Sequence, residues 1–125
     1  MLRTVLLRHS LPDGSWHHDW LVQCDPDPAA PVPTFRTSAR VDDREPTGFD
    51  ALRIGDHRPL YLAYEGPISG GRGEVSRVAA GEVVILSWAD DQIRLDLHFD
   101  GVGRRLLGCR QQGNLWRFER VEPPR

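Results

Sequence analysis

Apolar side chains in this chain recur at every second position, and hardly anywhere at the three-to-four spacing of a helix. The clearest alternation is Ile-Arg-Leu-Asp-Leu-His-Phe over residues 93–99, which sets Ile93, Leu95, Leu97 and Phe99 on one face. Residues 2–8 form a short apolar run with an arginine near each end, as expected of a first strand. Further strands are expected at 20–24, 34–38, 60–65, 74–79, 82–88, 105–110 and 115–121. Ala80-Gly81 separates the fifth from the sixth. Pro12-Asp13-Gly14, Asp90-Asp91, Asp100-Gly101 and Gln112-Gly113-Asn114 supply turn chemistry between runs. Two stretches read as irregular surface excursions: 25–33, with four prolines, and the acidic 41–50, with Pro46 and Gly48. No window sustains a helical period. About eight or nine short strands at this spacing predict an all-β fold, a compact closed or nearly closed β-barrel of about eight strands. Closure suits a short chain because it leaves few strand edges to protect.

Composition agrees. At 125 residues and 14.2 kDa the chain closes one core, so residues 1–125 are expected to form a single domain. The 12 glycines and 10 prolines exceed their usual share of about 12% together, which favours turns over long helices. All 16 basic residues are arginine; without lysine, Schiff-base and lysine-nucleophile chemistry are excluded. A net charge of −2 is too small for a general polyanion binder. That charge is unevenly spread: residues 101–125 hold six Arg against two Glu. This basic tail is either a phosphate-facing edge or a solvated strand face. The start of the chain is interrupted by Arg3 and Arg8, unlike a secretory leader. The longest uncharged apolar stretch, 83–89, is far below the roughly 20 residues of a membrane helix. A cytoplasmic protein with no membrane partner is expected, with Cys24 and Cys109 as buried reduced thiols.

Chemistry-bearing residues fall into three segments. Arg8-His9-Ser10 closes the first strand, a Pro-Asp-Gly turn follows, and His17-His18-Asp19 comes next. If a strand begins at His17, then His17 and Asp19 share one face and His18 takes the other. His9 then meets them at one rim. Two imidazoles and a carboxylate suit a divalent Mn, Zn or Fe ion with open positions; alternatively they are ordinary surface histidines. In the second segment, Asp56-His57-Arg58-Pro59-Leu60-Tyr61, His57 can exchange a proton and Tyr61 can donate a hydrogen bond to a phosphoryl group. The bland reading is a turn histidine and a half-buried tyrosine. The third segment, Tyr64 to Glu74, has four glycines but neither a lysine nor a following helix, so it is a wide turn and not a phosphate loop.

Together these segments resemble the N-terminal 3′-phosphoesterase domain of bacterial ATP-dependent DNA ligase D, and in particular its short stand-alone relatives. That family opens with Arg/Lys-His-Asp, a turn and His-aromatic-Asp, matched by Arg8-His9-Ser10 and His17-His18-Asp19. Its Asp-His-Pro-Leu-x-Tyr, aromatic-Glu-Gly and Gly-rich turn correspond to Asp56-His57, Tyr61, Tyr64-Glu65-Gly66 and Gly70-Gly71-Arg72-Gly73, with no gap from His57 to Gly73. Gly103 to Gly108 follows its later glycine pattern. The resemblance implies a β-barrel with a metal pocket. It implies a Mn²⁺-dependent activity (Zn²⁺ or Fe²⁺ being the other ions considered) that trims a terminal ribonucleoside and then the 3′-phosphate from DNA or RNA/DNA 3′ ends. His9, His17 and Asp19 would be the metal ligands, and His57 and Tyr61 would engage the phosphate. The expected partner is a DNA or RNA/DNA 3′ end, with or without a separate ligase or polymerase.

Three positions depart from the family. The arginine two positions after the metal aspartate is Leu21, a second arginine falls near Phe49, and the carboxylate before Asp-His is Gly55. Each lost guanidinium removes a charged hydrogen bond worth about 1.5–3 kcal/mol. Arg36, Arg53, Arg58 or Arg72 would have to replace them, and Leu21→Arg is expected to raise activity. The alternative function is a non-catalytic, metal-stabilised binding module for DNA ends or a repair partner. An iron(II) facial triad of His17, Asp19 and His57 is also permitted by spacing, but it leaves His9 idle.

Overall fold

The computed structural model describes residues 1–43 and 47–122. The strands are β1 (Leu2–Ser10), β2 (Trp16–Val22), β3 (Val32–Thr37), β4 (Gly48–His57), β5 (Gly66–Pro67), β6 (Glu74–Trp88), β7 (Gln92–Phe99), β8 (Val102–Gln112) and β9 (Leu115–Val121). All pairings are antiparallel. β1 to β4 form one meander and β6 to β9 a second. Two seams, β1 with β6 and β4 with β9, join the meanders into a closed ring of eight strands, and the short β5 pairs with β6 outside it. The fold is therefore all-β and closed, as the alternation predicts. Among the described residues the only helical element is a four-residue 3-10 turn, Pro59–Leu62, and no helix is long and apolar enough to cross a membrane.

Several expected elements change. Residues 60–65 do not form a strand: Pro59 sits at the first position of the 3-10 turn, where its fixed φ is accommodated, and the chain turns instead of extending. Ala80-Gly81 is not a turn, so 74–79 and 82–88 are one strand, β6. Gly81 is there for close approach, because a Cβ would overlap the His98 carbonyl oxygen. β4 was hidden in sequence by Gly48, Asp50, Gly55 and Asp56, all poor strand formers. It takes up the end of the acidic excursion, whose residues 44–46 lie outside the described residues. β2 starts at Trp16, four positions earlier than its apolar run. Pro33 lies in β3 at a register shift, where a missing N–H is tolerated. Neither cysteine is buried as expected: Cys24 is exposed, just beyond β2, and Cys109 on β8 is half-buried; neither forms a disulfide.

The ring is filled by Leu6, Trp20, Phe35, Phe49, Leu95, Leu97, Leu106, Trp116 and Phe118. Phe118 is central, its ring within 5.1–6.1 Å (centroid to centroid) of Trp20, Phe35, Phe49 and Trp116. A smaller second core lies on the outer face of β1 and β2. There Val5, Leu7, Leu21, Val32 and Val75 pack with Leu62, Tyr61, Tyr64 and Ile68 of the segment joining β4 to β6. This explains the unbroken buried runs of β1 and β2, which are covered on both sides.

Candidate metal centre

The pleat sends His9, His17 and Asp19 to the outer face with Val5, Leu7 and Leu21. In the β1–β2 register His9 stands opposite His17, and Leu7 opposite Asp19. On the other side of β2, Asp19 pairs with Arg36 of β3, and His57 at the end of β4 pairs with Val32. Four strands thus deliver three histidines and an arginine around one carboxylate. Asp19 is 2% exposed, and its Oδ1 has no hydrogen-bond partner. A buried carboxylate in that state is costly unless cations or a metal face it.

The donor atoms converge. His9 Nδ1 lies 3.2 Å from His17 Nε2 and 3.7 Å from Asp19 Oδ2; His17 Nε2 lies 3.2 Å from Asp19 Oδ1. Donors at about 2.0–2.2 Å from one small ion are separated by comparable distances, so this set fits a divalent ion. Its two nitrogens and one oxygen match Mn²⁺, Fe²⁺ or Zn²⁺ alike. Outer contacts set the tautomers. His9 Nε2 donates to the Arg72 carbonyl at 2.8 Å, which leaves the Nδ1 lone pair aimed at the cluster. Burial pushes the His17 pKa below 6.5 against the pull of Asp19, and Arg36 adds to the lowering. The neutral imidazole is the form that ligates. Arg72 reaches His9 because Gly73, at φ +93°, lets the loop press on the end of β1; a Cβ there would overlap the Ser10 carbonyl oxygen.

A cleft of about 500 Å³ opens above Asp19, lined by His9, His57, Tyr61, Arg36, Arg58 and Arg72 among others. His57 Nε2 lies 3.5 Å from Asp19 Oδ2, while its Nδ1 lies 3.2 Å from the Gly55 carbonyl. With Nδ1 donating to Gly55, Nε2 is the atom left for proton exchange. A backbone carbonyl therefore orients His57 where the resembled family has a carboxylate nearby. The Tyr61 ring packs edge-on to His57 at 5.6 Å, brought there by the 3-10 turn and not by a strand. Arg36 Nε is 3.9 Å from Asp19 Oδ1, and the Arg58 guanidinium lies 5.9 Å from the Tyr61 ring centre.

Not every expected residue reaches the cleft. Arg53 faces the ring interior, over Phe35 at 5.4 Å and Trp88 at 5.7 Å, and pairs with Asp56 at 3.2 Å. His18 also points inward and is buried at 5% exposure, outside the donor cluster. Leu21 is fully buried in the outer core. An arginine at that position would meet Leu7 and Val32, so Leu21→Arg is now expected to destabilise the fold instead of activating it. The carbonyls of Gly55 and Arg72 were not foreseen, since backbone groups leave no residue-type signature; the crowded glycines at 70–73 were the trace of the second. No known family model matches this chain, and no curated protein matches it.

Proposed function

We propose that the protein is a metal-dependent phosphoesterase acting on nucleic-acid 3′ ends, with Mn²⁺ held by His9, His17 and Asp19. The observation that carries this reading is the convergence of two imidazole nitrogens and a buried carboxylate oxygen beside an arginine-lined cleft. Bound there, a divalent ion supplies positive charge against a phosphoryl oxygen. The chain's own groups account for the rest. Arg36 and Arg58 attract and orient the phosphate, in place of the arginine that Leu21 replaces. As water adds to phosphorus and the bond to the 3′-oxygen breaks, His57 Nε2 would take the water's proton or deliver one to the departing oxygen, and the Tyr61 hydroxyl would donate a hydrogen bond to a phosphoryl oxygen. The outer core packs against Tyr61 and holds its ring beside His57.

The test is release of phosphate from a 3′-phosphorylated primer-template with and without Mn²⁺. Wild type should turn over slowly, His57→Ala should be inert, and Asp19→Ala should lose Mn²⁺ binding by calorimetry. Wild-type Mn²⁺ affinity in Asp19→Ala would refute the ligand set. Unchanged activity in His57→Ala would mean the proton-transfer group lies elsewhere. A second reading, a non-catalytic module that binds phosphorylated ends, is favoured by the apolar burial of Leu21, which thins the phosphate side of the cleft. It predicts that DNA binds while no phosphate is released.

A further inference from the structure

Trp16 stands apart from the other tryptophans. Trp20 is 0% and Trp116 4% exposed, and Trp88 is half-buried, but Trp16 is 48% exposed. Its ring is held by the Arg8 guanidinium, 4.2 Å from the ring centre, and by the edge of His18 at 5.1 Å. It borders a groove of about 340 Å³ whose other walls are His17, Arg36, Thr37 and Ser38. His17 and Arg36 also touch Asp19, at 3.2 and 3.9 Å. The groove and the metal centre therefore share the His17 and Arg36 side chains.

We propose that this groove holds the base of the nucleotide carrying the terminal phosphate, stacked on Trp16. The inference rests on the phosphoesterase reading and names the part of the substrate that reading leaves open. A pre-positioned indole provides a flat surface that any base can cover. Arg8 and Arg36 beside it suit an anionic backbone better than an aromatic peptide side chain. Recognition is by stacking, so it is independent of which base is present.

The experiment compares two 3′-phosphorylated oligonucleotides, one complete and one abasic at the terminal nucleoside. Their affinities are measured by fluorescence anisotropy with Mn²⁺ present, in a His57→Ala background that prevents turnover. The complete oligonucleotide should bind about 5- to 150-fold more tightly. That preference should vanish with Trp16→Ala and survive with Trp16→Phe. Equal affinities in the parent, or a preference that persists in Trp16→Ala, would overturn the stacking role. Calorimetry with Mn²⁺ alone separates the two readings. If Mn²⁺ binds and no base preference exists, only the groove assignment fails. If the preference exists without Mn²⁺ binding, the groove stands and the metal reading falls.

Discussion

The two meanders are built from the same number of strands yet differ in what covers them. β7 follows strict alternation, with Ile93, Leu95, Leu97 and Phe99 buried and Arg94 and His98 in water. β1 and β2 are buried on both faces from Thr4 to Leu7 and from His18 to Val22. The second layer over the N-terminal meander comes from the segment between β4 and β6. Every polar group of the candidate centre lies under or beside that layer. A one-sided strand offers solvent to any polar side chain on its outer face. A two-sided strand can strip water from a carboxylate such as Asp19, which is what a metal or phosphate site requires.

Substitutions in the two cores test this division. The largest effect belongs to the ring interior: Phe118→Ala should cost about 3–5 kcal/mol and lower the urea midpoint of the whole molecule. Leu62→Ala, in the outer core, should cost about 2 kcal/mol and act locally. Hydrogen exchange should rise over residues 58–73 while β7 and β8 remain protected. Equal loss of protection in both meanders would dissolve the comparison. Gly73→Ala, whose Cβ would press on the Ser10 carbonyl oxygen, should displace the Arg72 carbonyl from His9 and weaken Mn²⁺ binding about tenfold, read by calorimetry. The smallest effect lies at the ring's end, where hydrogen bonds from Arg40 hold the Asp42 carboxyl below its ordinary 3.8. A depressed carboxylate stabilises the fold above the unfolded pKa and loses that contribution as pH falls through the folded value. Asp42→Asn should therefore cost less than about 1 kcal/mol at pH 7, and the two proteins should converge in stability at strongly acid pH.

Much of the fold was legible because period-two burial is a direct imprint of the pleat. Ile93 to Phe99 and Leu115 to Val121 needed nothing more. What escaped was set by tertiary contact. Leu60, Leu62 and Tyr64 alternate as a strand would, but Pro59 and the outer core make them a turn and its cover. Phe49 and Ala51 carry the inward face of β4 between residues that disfavour strands, so only the seam with Trp116 and Phe118 identifies it. For the site, the His9, His17 and Asp19 grouping followed from one hairpin and was within reach of sequence. Choosing among Arg36, Arg53 and Arg58 was not. The direction taken by His57 and Arg58 depends on an extra residue in β4, at Gly55-Asp56 opposite Pro33, that no local pattern announces.

The ring has two seams, and each joins residues far apart in the chain: Leu2 meets Val83, and Gly48 meets Glu119. The β1–β2 hairpin and the three hairpins of the second meander close over two to five residues and can form early. The seams must wait, because closing a long loop costs entropy before any contact repays it. Folding speed is then governed by when two preformed halves meet, on the millisecond-to-second scale of all-β topologies. The donors from β1 and β2 belong to one of those early hairpins. His9 and His17 face each other across it, so under the proposed ligand set a partial site would exist before the ring is complete.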